Sequence, residues 1–182
     1  CINGTGSLNS WMRRSLGMQG LDYHALNELA AEIPIGSDGV YIIPFGNGAE
    51  RILCNKDPQA SFHGINFNIH DSRHLLRASQ EGLAFAFRYG MDMMKSLGMD
   101  ISVIRAGRAN MFLSPVFRES LAGVTGASIE IYDTDGAEGA ARGAGLGAGI
   151  YSSSEEAFST LQKIMTVTPS PASQPLYEEA YG

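Results

Sequence analysis

Apolar residues fall at helical spacing along much of this chain. Leu8, Met12 and Leu16 recur every fourth residue from Ser7 to Leu16, predicting a helix that Gly17 stops. Asp22 is placed to cap a second helix carrying Leu26, Leu29 and Ile33, ended by Pro34. Val40 to Ile43 is an unbroken β-branched and aromatic run, which predicts a buried strand. Asp71 or Ser72 opens the longest helical pattern, through Leu76, Leu83, Phe87 and Met94 to Leu97-Gly98. Ile101 to Ala106 is strand-like, and a helix runs from there to Val124 with Gly126 as its left-handed stop. In SIEIY, Ile129 and Ile131 alternate inward. Ser153 and Glu156 form a capping box for a final helix, and the stretch TPSPASQP reads as extended linker. Strands alternating with helices across short joints predict an α/β layer fold.

Composition narrows the class. The 182 residues are 44% hydrophobic and 18% charged, which is globular, and they suffice for one domain. A net charge of −6 with scattered basic residues argues against a nucleic-acid partner. No apolar run approaches the roughly 20 residues of a membrane span. Cys1 and Cys54 are too few for a disulfide framework or a zinc site, so a reducing, cytoplasmic setting is expected. The chain starts at Cys1 and goes straight into patterned sequence, which reads as a piece of a longer protein; an N-terminal cysteine nucleophile has no supporting base nearby.

Residues 133–149 are mostly Gly and Ala, and Gly143-Ala144-Gly145-Leu146-Gly147-Ala148 fits the dinucleotide pattern GxGxxG/A. That pattern needs its first Gly at the turn between strand and helix. Here the strand ends near Tyr132 and the turn is already made by Thr134-Asp135-Gly136, so the later glycines belong inside a helix. Gly139, Gly143 and Gly147 then share one face, beside Ala140 and Ala144, and predict a close backbone approach. Each interior Gly costs about 1 kcal/mol against Ala, so that closeness needs a return.

His63, His70 and His74 lie close in sequence but lack HExxH and a well-spaced third ligand, so no metal site is expected. Two segments carry more. One is a strand running through Ala106 and Gly107 into a new helix start, where a backbone can approach a ligand. The other prefaces the long helix: Ala60, Phe62, Gly64-Ile65, then His74-Leu75, Ala78, Ser79 and Glu81.

The second segment resembles a signature of the FGGY carbohydrate kinases, with Gln80 standing where the family prefers an apolar residue. Ala109-Asn110-x-Phe112-Leu113 is similar to the adenosine motif of the family's glycerol kinases, and Ser114-Pro115-x-Phe117-Arg118 to that of its xylulokinases. The two place the helix start differently, and capping favours Ser114 with Pro115 at the first helical position. Arg105-Ala106-Gly107 replaces the usual GGG, which weakens a backbone contact at Arg105. Gly6-x-x-x-Ser10-Trp11 resembles the Gly-x-x-x-Gln-Trp stretch bordering ATP, and Gly136 to Ala141 the small-residue helix beside the cleft. Gly4-Thr5-Gly6-Ser7 is similar in letters to the family's phosphate loop but lies too close to Trp11 to be it. PFGNGAER and YDTDGAEGAARGAG point towards xylulokinases within the family.

The resemblance implies an actin-like, ribonuclease-H-like α/β domain with a mixed sheet flanked by helices. It implies residues 1–166 as the C-terminal nucleotide-binding domain and 167–182 as linker and the start of a further segment. It implies ATP with Mg²⁺ carried by ATP, and contacts from Gly6, Ser10, Ala106, Gly107 and Asn110, with Gly136, Gly139 and Gly143 packing at the cleft. The sugar and the catalytic base belong to an N-terminal domain preceding Cys1, so no catalytic residue is expected in this stretch, and a homodimer is left open. Transfer of phosphoryl to xylulose, to another polyol or sugar acid (glycerol, gluconate or ribulose), or a non-catalytic actin-like switch all remain open from these residues.

Overall fold

The computed structural model describes residues 2–182; Cys1, with the N-terminal thiol considered above, lies outside them. Its longest helix, α3 (Ser72–Ser96), is capped by Asp71. The Asp71 carboxylate accepts from the Arg73 N–H at 2.9 Å, and the Asp71 N–H donates to Nδ1 of His74 at 3.1 Å. Hydrogen bonds from the Arg73 side chain foremost hold the Asp71 carboxyl well below the usual carboxylate range. His74 is also tied through Nε2 to the Asp38 carboxylate, and His70 through Nε2 to the Asp38 carbonyl, so these histidines fasten a turn.

Around α3 pack α1 (Thr5–Ser15), α2 (Tyr23–Ala31), β1 (Tyr41–Ile43) and α4 (Pro115–Thr125). Asp22 caps α2, accepting from the Ala25 N–H at 2.8 Å. Gly82 lets α3 cross β1 closely: a Cβ there would sit 2.3 Å from the Ile42 carbonyl oxygen. The buried core includes Met12, Leu26, Leu83, Phe117, Leu121 and Ile131.

The run from Val40 to Ile43 departs from its expected burial. Only Ile42 of β1 is buried, while Tyr41 and Ile43 face outward. β1 pairs antiparallel with β2 (Ser61–His63) alone, so just one face of this two-stranded ribbon is covered by α3. β2 itself was not expected from sequence, being only three residues long.

The second sheet has the order β3 (Val103–Gly107), β4 (Ser128–Tyr132), β5 (Lys163–Val167). β3 and β4 run parallel, in register from Val103 opposite Ser128 to Gly107 opposite Tyr132, and β5 is antiparallel to β4. This is the expected mixed sheet flanked by helices. Ile129 and Ile131 point inward as their alternation predicts. On the opposite face Glu130 is held down to about 2 by Lys163 first, then by Arg105 and Tyr132. Arg105 is therefore engaged within the sheet, its Nε 3.0 Å from the Glu130 carboxylate.

The C-terminal residues correct the linker expectation. The helix started by Ser153 is short, α6 (Ser154–Phe158), and the chain continues into β5 and then α7 (Gln174–Tyr181). Tyr177 of α7 is buried, its hydroxyl 3.2 Å from the Ser120 hydroxyl, and Gly123 makes the room: a Cβ there would lie 2.2 Å from the Tyr177 ring. Arg88 of α3 binds the Val124 carbonyl and the Glu178 carboxylate, tying α7 down. Pro and Ser in the joining segment conceal a helix whose attachment comes from residues far upstream. Among the described residues no helix is long and apolar enough to cross a membrane.

Candidate functional site

The carboxyl ends of the parallel pair β3 and β4 open onto a cleft of about 230 Å³. Such ends are where α/β sheets bind ligands, because connecting loops diverge there. Four separate segments meet at the cleft: Thr5 from the start of α1, Gly107 from the end of β3, Asn110 from the turn after it, and Gly136 from the start of α5 (Gly136–Gly147). Phe87 and Phe117, from α3 and α4, also line it.

The two competing helix starts are both realised. Asn110–Leu113 forms a 3-10 turn, and Ser114 caps α4 behind it, accepting from the Phe117 N–H at 3.3 Å. Gln80, the departure from the family pattern, is accounted for here. It is buried, accepts the Ser114 hydroxyl at 2.6 Å, and donates to Asn27 at 3.1 Å, so it locks the α4 cap to α2 and α3. Arg118 braces the 3-10 turn by donating to the Phe112 carbonyl at 2.6 Å, and burial lowers the pKa of its guanidinium. Asn110 stands exposed with φ of 51°, a left-handed conformation that Asn tolerates. Its side-chain amide makes no hydrogen bond among the described residues, leaving two donors and an acceptor free at the cleft.

Gly107, which lines the cleft, also makes a close approach within the chain. A Cβ at Gly107 would lie 2.5 Å from the Thr134 carbonyl oxygen, so its closest approach is to the β4–α5 turn of its own chain. Ala106, opposite Ile131, packs against the core and does not line the cleft. Gly6 follows Thr5 in the first turn of α1, with open space where a Cβ would be. Ser10 lies one turn further on, accepting a hydrogen bond from Arg14 at 2.6 Å.

Among the described residues the glycine stripe is left open. Residues 136–147 are helical, as counting from Tyr132 predicted, and Asp135 caps them by accepting from the N–H groups of Ala137 and Glu138 at 2.9 Å. Gly136 reaches the cleft, but an added Cβ would meet nothing within 4 Å at Gly136, Gly139, Gly143 or Gly147. The close approach falls on Gly145, where a Cβ would lie 2.6 Å from the Tyr151 ring. The chain after α5 folds back over the face carrying Gly145, and four-residue spacing alone does not say which face is covered. Gly139→Ala and Gly143→Ala are accordingly expected to stabilise the protein by up to about 1 kcal/mol each through helix propensity. Urea denaturation measures this; a loss of stability at either position would mean that the face is covered after all.

No carboxylate lines the cleft, and among the described residues no group of three or more His, Cys, Asp or Glu could hold a metal ion. Phe117 belongs to the motif quoted from sequence, whereas Phe87 was read only as a helix position, because nothing local marks a core phenylalanine as also facing a cleft; Thr5 was set aside with the loop-like Gly4–Ser7 stretch and lines the cleft all the same.

The sequence model of the FGGY family of carbohydrate kinases, C-terminal domain, matches residues 1–151. A xylulose kinase of Haemophilus influenzae is 33% identical over 99 residues, covering 54% of this chain and 20% of that protein. An L-xylulose/3-keto-L-gulonate kinase of Escherichia coli is 28% identical over 166 residues, covering 88% of this chain and 32% of that protein. The crystal structure of xylulose kinase from Rhodospirillum rubrum superposes with a TM-score of 0.77 at 27% identity, over 97% of this chain and 36% of the other. The chain thus spans a third or less of the curated relatives named here, and its fold is that of the actin-like sugar kinases.

Proposed function

Because the chain belongs to the FGGY family of carbohydrate kinases, we propose that it is the nucleotide-binding part of an ATP-dependent sugar kinase. In this reading the nucleotide domain runs on through β5 and α7, and an N-terminal domain holds the sugar. The enzyme works in the cytoplasm, and its acceptor is a ketopentose, D-xylulose before others. The observation that carries the reading is the convergence of Thr5, Gly107, Asn110 and Gly136 on one cleft at the ends of β3 and β4.

MgATP is the phosphoryl donor. A sugar hydroxyl attacks the γ-phosphorus, the bond to the β,γ-bridging oxygen breaks, ADP leaves, and the hydroxyl proton passes to a base. In this reading that base belongs to the N-terminal domain. The residues of this chain act by positioning. The Asn110 amide hydrogen-bonds the edge of the adenine, and the phenylalanine wall excludes water beside it. Gly6 and Ser10 flank the nucleotide along α1, and the bare start of α5 at Gly136 gives a backbone edge to approach. Closure of the two domains then completes the site. A wider acceptor range, taking in sugar acids, draws support from the relative named for both L-xylulose and 3-keto-L-gulonate.

Asn110→Gly tests the reading cleanly, because glycine relieves the left-handed backbone while removing the amide. The variant is expected to keep its melting temperature and to lose about tenfold in ATP affinity, the value of one or two hydrogen bonds. Calorimetric titration with ATP checks this; unchanged affinity would overturn the adenine role. The 182 residues alone are expected to phosphorylate nothing in a coupled ADP-release assay with xylulose, glycerol and gluconate. Turnover by this stretch alone would overturn the division of roles.

A further inference from the structure

Glu50 is fully buried, yet among the described residues its carboxylate receives hydrogen bonds only from the Asn3 N–H, at 2.9 and 3.2 Å. A carboxylate held out of water without a cation is costly, so a fold that keeps one must hold it firmly in place. The surrounding backbone does so. The Glu50 N–H donates to the Lys56 carbonyl at 2.8 Å, and the Glu50 carbonyl accepts from the Asn55 N–H at 2.8 Å. Cys54 and Asn55 take left-handed conformations to close that loop.

The other side of the contact is the start of α1. Its N-cap, Gly4, offers no side-chain cap, and the first turn holds no acidic residue. The positive end of this helix therefore lacks a local anion. Glu50 supplies one from 47 positions away in sequence, through Asn3. Two further contacts press the same junction together: the Asn3 side-chain amide donates to the Ala49 carbonyl at 2.8 Å, and a Cβ at Gly4 would lie 2.5 Å from the Asn47 Cβ. Thr5, the next residue, lines the cleft.

We propose that Glu50 is a positioning residue for nucleotide binding: its buried carboxylate sets the start of α1, and through Asn3 and Gly4 it places Thr5 at the cleft. This rests on the nucleotide reading of that cleft. It makes the Gly-rich turn before Glu50 part of the nucleotide site although that turn does not line it.

The test uses the kinase that carries this domain, with ATP and sugar varied separately. Glu50→Ala is expected to raise the KM for ATP about tenfold, as a misplaced binding element does, with the sugar KM and the kcat at saturating ATP little changed. Glu50→Gln keeps an acceptor for the Asn3 N–H and loses only the charge, so about threefold is expected. A purely structural role would lower the melting temperature and the active fraction without moving the KM for ATP. If Glu50→Ala does not fold, Glu50→Gln decides. An unchanged KM for ATP in a folded variant overturns the proposal, provided the wild-type protein binds ATP in calorimetry. A wild-type protein that binds no nucleotide instead overturns the reading of the cleft, and this inference falls with it.

Discussion

Arg77→Met is expected to destabilise the protein by about 3–5 kcal/mol, as breaking one side of a buried ion pair does. Arg77 and Glu81 are both buried, one helical turn apart on α3, with Nε and the carboxylate 2.8 Å from each other. Neither relies on the other alone. Glu81 also accepts from the Gly36 N–H at 3.1 Å and the Ser37 hydroxyl at 2.9 Å. Arg77 also donates to the Ile33 carbonyl at 2.8 Å and to the Tyr177 hydroxyl at 3.4 Å. The pair thus joins the end of α2, the turn before β1, and α7. Glu81→Gln is expected to fall in the same range, since it leaves the guanidinium buried without its counter-charge. The double variant Arg77→Met/Glu81→Gln should cost clearly less than the two singles together, because the second change removes a charge that the first left stranded. Denaturant midpoints of the four proteins decide this. Additive losses, or singles below about 1 kcal/mol, would show that the ion pair does not hold the three elements.

Gly107→Val is expected to lower ATP affinity by about a hundredfold while the helices remain folded, the effect of displacing binding groups by about an ångström. Valine suits a strand, so the substitution is locally favourable in β3. Its cost arises at the Thr134 carbonyl, 2.5 Å from where the Cβ must go. That atom is backbone and cannot rotate away, so the turn leading to Asp135 and Gly136 has to move. The start of α5 moves with it, on the far wall of the cleft. Calorimetric titration with ATP and far-ultraviolet circular dichroism together read the outcome. Native-like affinity would show that the turn can shift without disturbing the site.

Both predictions come from contacts between distant residues, and the division of what was legible follows the same line. Helix starts were readable because caps are local. Asp22, Asp71, Ser114 and Ser153 each bind an N–H two or three residues ahead. The stop at Gly126, with φ of 72°, was readable for the same reason. β2 and β5 were not read: β2 is three residues set in a polar loop, and β5 pairs with a strand more than thirty residues earlier. In the site, Gly107, Asn110 and Gly136 were marked by motif resemblance, whereas Thr5 and Glu50 stood in quoted motifs whose letters did not say that they meet at the start of α1.

The Gly and Ala stretch divides along that boundary. Rise and turn counting from Tyr132 already made it a helix and removed it from the phosphate loops, because those quantities depend only on neighbours in the chain. Which of its glycines is pressed against a neighbour depended on where Tyr151 came to rest, and the face at Gly139 and Gly143 was left open. In the same way the helical face of α3 was written in its periodicity, while the crossing at Gly82 required β1 to arrive from forty residues upstream. Short-range hydrogen bonding and steric preference act within about one helical turn, so they can be read along a line of residues. Close approach and the burial of charge act between segments, and they exist only once the chain has folded.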